Sequence, residues 1–253
     1  MQQEVIIVGG GMVGLSLALM LAKQNIAVKL LEAIKYPNYD DVNLAPYHSS
    51  FDARNSALSR RTVQIYQELG LWSALQEHAT PILEVNITEQ GSFGKARLKA
   101  EQEKVESFGQ VIENAWLGRV LLTEVQKQTL IELIDGVQVT QLTQDADMAY
   151  IDASRGEEQL SLQAKLVIAA DGRDSFCRKA LGIGASEHDY DQVAIVTTVQ
   201  TSKPHNHVGF ERFSSLGPLA LLPLPGEYRR SVVWPGKKGT EGEWLGDEND
   251  QHF

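Results

Sequence analysis

The sequence predicts an α/β protein of two domains, the first alternating strand and helix, the second mostly β. Three observations predict it. Val5-Ile6-Ile7-Val8 is a short continuous apolar run of the kind found in strands buried on both faces. It passes through Gly9, Gly10 and Gly11 into a helical stretch at residues 15–23 and a second apolar run at 27–31, a βαβ unit of roughly 30 residues, the usual size of a parallel crossover. From Gln192 onward the pattern is almost all strand, and that shift sets a domain boundary near residue 186.

Each element follows from its local pattern. Residues 15–23 are apolar almost all round, which predicts a helix packed inside. The stretch 5–22 is uncharged, as in a signal peptide, but only Glu4 precedes it among charged side chains and the glycines interrupt it. A strand turning into a buried helix accounts for it better. Residues 36–52 lack periodicity, carry Pro37 and Pro46, and read as a long surface loop. Residues 59–69 have helical spacing at Val63, Tyr66 and Leu69, closed by Gly70. Strand-like alternation follows at 83–89 and 96–100, and a helix at 118–130. Residues 137–142, 148–152 and 159–162 suit a small antiparallel ribbon, and 165–170 a further buried strand ending at Asp171-Gly172. Four strands complete the pattern, at 193–199, 208–213, 219–224 and 231–234. After Lys238 come Glu241, Glu243, Asp247, Glu248 and Asp250 with no Lys or Arg, read first as a solvated acidic segment leading toward a helix that the chain does not include, and second as an acidic interaction tail.

Composition narrows the function. With 43% hydrophobic and 22% charged residues over 253 positions, the chain is neither collagen-like, disordered nor a multi-span membrane protein. A formal net charge of -10 argues against a nucleic-acid partner, because phosphate binding needs clustered Lys and Arg. Cys177 is the single cysteine, so there is no intrachain disulfide and no cysteine-based metal site, and a reducing compartment is expected. His205-x-His207 lacks a third ligand, so no metal is expected there. Cys177 reads as a small packed side chain.

The chemistry concentrates at three motifs. Gly9-Gly10-Gly11-Met12-Val13-Gly14 fits G-x-G-x-x-G between a strand and a helix. The first glycine allows a tight turn, the second lets a pyrophosphate approach the backbone, and the third lets helix and strand pack closely. The helix N-terminus adds N–H groups and partial positive charge. Glu32 closes the second strand, where a carboxylate can accept hydrogen bonds from a ribose. Residues 52–58 put Arg54 in a loop just before a helix, and 167–175 put Asp171-Gly172 at the carboxyl end of a buried strand, facing the ligand crevice of an open α/β sheet. Asp-Gly is also a common turn and Asp174-Ser175 a common helix cap, so a structural role for Asp171 stands beside the functional one.

On these residues the chain resembles the N-terminal part of the class A FAD-dependent aromatic hydroxylases. Within them it is similar to the ubiquinone-biosynthesis branch, especially the 2-polyprenyl-6-methoxyphenol hydroxylases. Gly9 to Gly14 with Glu32, residues 52–58, Gly118-Arg119 and Ala170-Asp171-Gly172 carry the resemblance, and Phe210-Glu211-Arg212-Phe213 followed by Gly217-Pro218-Leu219-Ala220 is its branch-specific part. The resemblance implies a Rossmann-like FAD-binding domain of the hydroxybenzoate-hydroxylase type, residues 1–79 and 114–185, with a mostly β substrate domain, residues 80–113 and 186–253. It implies that Gly9, Gly11 and Gly14 line the FAD pyrophosphate and that Glu32 holds the adenosine ribose. Arg54 and Arg119 would lie near the phosphates, and Asp171 and Gly172 would border FAD and the path of the nicotinamide donor. The implied reaction uses NAD(P)H and O2 to hydroxylate a prenylated phenol, within a ubiquinone-biosynthesis complex. The implied place is the cytoplasm, with peripheral contact to the inner membrane in the full protein. No catalytic residue is assigned.

One departure stands out. The family's later Gly-Asp motif, followed by a His and a Gly-rich helix start, has no match here, since Gly246-Asp247 leads into Glu248-Asn249-Asp250. The expectation is a truncated chain that lacks part of the flavin site, holds FAD weakly or is isolated empty, and hydroxylates nothing alone. Two other readings remain open: a hydroxylase of a small soluble aromatic acid on the same fold, and a non-catalytic binding subunit.

Overall fold

The computed structural model describes residues 4–36, 52–215 and 217–240. The loop expected over 36–52 lies outside them but for its two ends, and the acidic segment from Glu241, with Gly246-Asp247, lies wholly outside. The first half runs β1 (Val5–Val8), α1 (Met12–Lys23), β2 (Val28–Glu32), β3 (Asn55–Ser59), α2 (Arg60–Glu68), α3 (Trp72–Leu75), β4 (Ala79–Pro81), β5 (Glu84–Glu89), β6 (Lys95–Lys99) and β7 (Gly109–Glu113). The second runs α4 (Asn114–Lys127), β8 (Ile131–Asp135), β9 (Gln138–Gln144), β10 (Ala149–Arg155), β11 (Glu158–Ala164), β12 (Leu166–Ala169), α5 (Phe176–Ala180), β13 (Gln192–Gln200), β14 (Val208–Ser214), β15 (Gly217–Pro223) and β16 (Arg229–Lys237). Two compact units result: Met1–Ala53 with Tyr66–Leu75 and Asn114–Ser186, and Arg54–Ile65 with Gln76–Glu113 and Glu187–Phe253.

The first unit is built on a parallel sheet in the order β12-β1-β2-β8. β1 is central, with Val5 opposite Val28 on one side and Leu166 on the other. Its four residues are all buried, which is why it reads as an unbroken apolar run. On one face lie α1 and α4, packed on each other, with α1 also against β1, β2 and β8. On the other, Ile6, Val8 and Leu31 meet the β9–β11 ribbon through Val137, Val139, Leu142, Ile151, Ala153 and Ala164. Each fully buried aliphatic side chain contributes about 1.5–3 kcal/mol, so this layer alone is enough to fix the register.

Several expectations are corrected here. α1 starts at Met12, directly after the N-cap Gly11, because Leu15 N–H already donates to Gly11 C=O at 3.0 Å. Nor is it packed all round: Gly14, Leu15, Ala18, Leu19 and Ala22 form one buried stripe, while Val13 is 72% exposed. α4 begins a turn earlier than expected, at Asn114, and the following residues make an unforeseen parallel strand, β8. The stretch 52–58 is not all loop, since β3 starts at Asn55 and pairs antiparallel with β7. β12 is not buried: among the described residues only β1 pairs with it, and Leu166 is 51% exposed.

The second unit holds a six-stranded sheet, β13-β16-β15-β14-β5-β6, antiparallel except where β14 runs parallel to β5, and a three-stranded sheet, β3-β7-β4. Ile82, Val111 and Leu224 form its buried cluster, with Val85, Phe108 and Leu222 against it. The branch-specific segment is a hairpin, β14 on β15, with Phe210 opposite Leu221. Arg230 is buried behind it, donating to Val208 C=O at 2.9 Å and lying 5.2 Å from the Phe210 ring centroid. His205 is buried as well and ties strands together, with Nε2 3.1 Å from Leu224 C=O and Nδ1 accepting from His207 N–H at 3.0 Å. Among the described residues no helix is long and apolar enough to cross a membrane.

Candidate functional site

At the carboxyl ends of β1, β2 and β12 the first unit opens a cleft of about 430 Å3, lined by Gly9, Gly11, Glu32, Ile34, Val139, Asp171, Gly172 and Phe176 among others. The ribbon thus supplies one wall and the parallel sheet the floor. Of the expected site residues, Gly9, Gly11, Glu32, Asp171 and Gly172 meet here. Gly14 lies beneath them, buried in α1.

The glycines do separable jobs. Gly9 has φ +105°, a region that favours glycine, and a Cβ there would collide with the Ala170 carbonyl. The turn is therefore seated directly on the backbone of Ala170-Asp171. A Cβ on Gly14 would run into the Gly9 carbonyl oxygen, so the third glycine lets the helix approach the turn. Gly172, with φ +80°, makes the reversal after β12. The N-terminus of α1 points its first N–H groups and its partial positive charge at the cleft, a setting for an anion.

Glu32 is 7% exposed, and both carboxylate oxygens are engaged: Oε2 accepts from Gly10 N–H at 2.5 Å, Oε1 from Ile34 N–H at 2.8 Å. Glu32 also lines the cleft, where a carboxylate oxygen is the acceptor type that a ribose hydroxyl needs. Asp171 lies on the cleft wall and also braces the start of α5. Its Oδ1 accepts from the Ser175 hydroxyl at 2.6 Å and its Oδ2 from Cys177 N–H at 3.0 Å, while Ser175 caps α5 by accepting from Arg178 N–H at 3.0 Å. Partial burial works to raise this carboxyl, but the bonds from Ser175 and Cys177 outweigh it and hold it below the usual aspartate range. The local capping role and a place on the cleft wall coexist. Burial, then the Asp171 charge, push the Cys177 thiol up to about 12, which leaves it without nucleophilic character at neutral pH.

Neither arginine is among the residues that line this cleft. Arg119 is half-buried on α4, its guanidinium 5.9 Å from the Trp116 ring centroid, and does not line the cleft. Arg54 is exposed and belongs to the second unit. The sequence reading missed Tyr36, whose hydroxyl donates to Gly10 C=O at 2.5 Å. Its one signal was position, two residues past Ile34 and the strand that carries Glu32.

A helix N-terminus, a glycine turn stripped of Cβ atoms and a buried carboxylate at the neighbouring strand end define a dinucleotide-binding protein of the Rossmann class. The chain belongs to the FAD binding domain family, whose model matches residues 2–252. It is similar to ubiquinone hydroxylase UbiL of Rhodospirillum rubrum, 33% identical over 257 residues that cover 99% of this chain and 57% of that protein. It is also similar to 3-demethoxyubiquinol 3-hydroxylase of Escherichia coli, 31% identical, covering 91% of this chain and 56% of that one. The crystal structure of p-nitrophenol 4-monooxygenase from Pseudomonas putida shares the fold, with a TM-score of 0.75 at 20% identity over 94% of this chain and 58% of that chain. The chain therefore spans a little over half the length of these relatives.

Proposed function

We propose that this chain forms the adenosine–pyrophosphate half of the cofactor site, and the sheet of the substrate domain, of an FAD-dependent monooxygenase that hydroxylates a prenylated phenol in ubiquinone biosynthesis. The observation that carries the reading is the single cleft in which the Gly9 to Gly14 turn, Glu32 and Asp171-Gly172 meet. The cleft fits the group. It has no Cβ where a pyrophosphate would approach, N–H donors at the start of α1, and a carboxylate on its wall, the acceptor that a ribose needs.

In this reading Gly9, Gly11 and the first turn of α1 hold the pyrophosphate, Gly14 lets the helix come close, and Glu32 orients the ribose. Asp171 and Gly172 border the flavin side and the path of NAD(P)H, and Arg54 and Arg119 approach the phosphates. FAD, when bound, supplies the electron transfer and oxygen activation, for which no side chain offers a substitute. The protein's part is to orient the cofactor and to keep water from the reacting ring. Similarity to ubiquinone hydroxylase UbiL and to 3-demethoxyubiquinol 3-hydroxylase supports a prenylated phenol as substrate. The reading extends to a biosynthetic complex and to peripheral contact of the whole protein with the inner membrane.

FAD titration of the purified protein, followed by flavin absorbance, tests the cofactor. Incubating the whole protein with NAD(P)H, O2 and either a prenylphenol or hydroxybenzoate tests the substrate. A hydroxylated prenylphenol supports the proposal. Turnover of hydroxybenzoate alone moves the assignment to small aromatic acids, and failure to bind FAD overturns it.

A further inference from the structure

Gly10, the second residue of the glycine turn, is held from both sides. Its N–H donates to Glu32 Oε2, and its C=O accepts from the Tyr36 hydroxyl, each at 2.5 Å. Tyr36 is 7% exposed and does not line the cleft, so it lies behind the turn. It is anchored at its other end: Tyr36 N–H donates to Asp135 Oδ2 at 2.8 Å, and Asp135 Oδ1 accepts from Arg155 at 3.1 Å. Asp135 is the last residue of β8, opposite Glu32 across the β2–β8 ladder. The ring thus spans from the sheet's end to the turn.

The hydroxyl also fills the space that a Cβ on Gly10 would take. Gly10 is not among the glycines with positive φ, so its backbone conformation is open to alanine. Apart from Glu32 Cβ at 3.0 Å and its Oε2 at 3.1 Å, the Tyr36 oxygen is what excludes a side chain there.

We propose that Tyr36 is a positioning residue for the dinucleotide cleft. Its hydroxyl clamps Gly10 against Glu32, so that the turn presents Gly11 and the first N–H groups of α1 to a pyrophosphate in a fixed orientation. Tyr36 touches no cofactor atom itself. The inference rests on the FAD reading above.

Calorimetric titration of wild type, Tyr36→Phe, Gly10→Ala and the double variant with FAD, and separately with ADP, tests it. Tyr36→Phe is expected to weaken both ligands by about 3–10-fold, and by the same factor, because the clamp acts on the half they share. Gly10→Ala is expected to weaken them by roughly 5–150-fold through overpacking. The decisive comparison is the double variant, which should bind more tightly than Gly10→Ala alone, since the colliding oxygen is gone. A tyrosine that merely stabilised the fold would give losses that add. Equal binding by Tyr36→Phe and wild type, or a double variant no tighter than Gly10→Ala, overturns the proposal. Wild type that binds neither FAD nor ADP overturns the FAD reading itself, and the clamp with it.

Discussion

Exchanging Glu32 for glutamine keeps the size of the side chain but turns one acceptor oxygen into an NH2 donor. Both oxygens face backbone N–H groups, Gly10 at 2.5 Å and Ile34 at 2.8 Å, so whichever way the amide settles, one donor confronts another. At 7% exposure there is little room for water to mediate. Losing one hydrogen bond to a charged acceptor costs about 1.5–3 kcal/mol. For a protein of this size that is roughly 3–12 °C in Tm. The ribose loses its charged acceptor at the same time, which weakens FAD by about 10–150-fold. Scanning fluorimetry with and without FAD reads both effects: the apo Tm falls, and the rise that FAD produces shrinks. Unchanged FAD affinity in Glu32→Gln, and in the deeper Glu32→Ala cut, would remove Glu32 from the ribose site. An unchanged apo Tm would refute the hydrogen-bond geometry itself.

Gly14→Val should abolish FAD binding and destabilise by roughly 3 kcal/mol or more, because the new Cβ meets the Gly9 carbonyl rather than a movable side chain; a soluble variant with wild-type FAD affinity would contradict the close packing. Cys177→Ser should leave FAD affinity unchanged, and Ellman's reagent should label Cys177 only after denaturation, since its thiol is buried and pushed up to about 12; rapid labelling of the native protein would count against this. Asp171 is held below the ordinary aspartate range, so its stabilisation is complete above the unfolded carboxyl's value and is lost as the pH falls through the depressed one. Asp171→Asn should therefore lower Tm at neutral pH by an amount that narrows steadily on acidification, and a difference independent of pH would argue against the carboxylate's role.

The parts legible in the sequence are those whose partners are close in the chain. β1, α1 and β2 follow one another within 28 residues, and each announces itself: an unbroken apolar run, a glycine start, a strand closed by Glu32. β8 was hidden because Ile131-Glu132-Leu133-Ile134-Asp135 is a short run with charged residues in it, and only the distant β2 makes a strand of it. β12 has the composition of a central strand, yet among the described residues only β1 pairs with it, a matter of strand order that composition does not encode. Within the cleft, the glycines and Glu32 were readable from spacing alone. Tyr36 was not, because its meaning depends on reaching back 26 residues to one carbonyl. The capping duty of Asp171 was readable, as Ser175 four residues on has the right hydroxyl at the right offset.

The placement of Gly9 against Ala170 has a bearing on how the molecule is made. β1 is synthesised long before one of its two neighbours, β12, the last strand of the first unit, and the Glu4–Lys165 ion pair closes a span of 161 residues. Contacts of such separation form late, after the loop-closure entropy has been met, and they slow folding. Until then one edge of β1 is open to pairing with any other strand, including that of a neighbouring nascent chain. The glycine turn can be spelled out by residue 14 and still have no seat, so a dinucleotide has nothing to bind until the ribosome has passed Ala170. Cofactor capture is in this sense governed by the arrival of a short and distant strand rather than by the motif that marks the site.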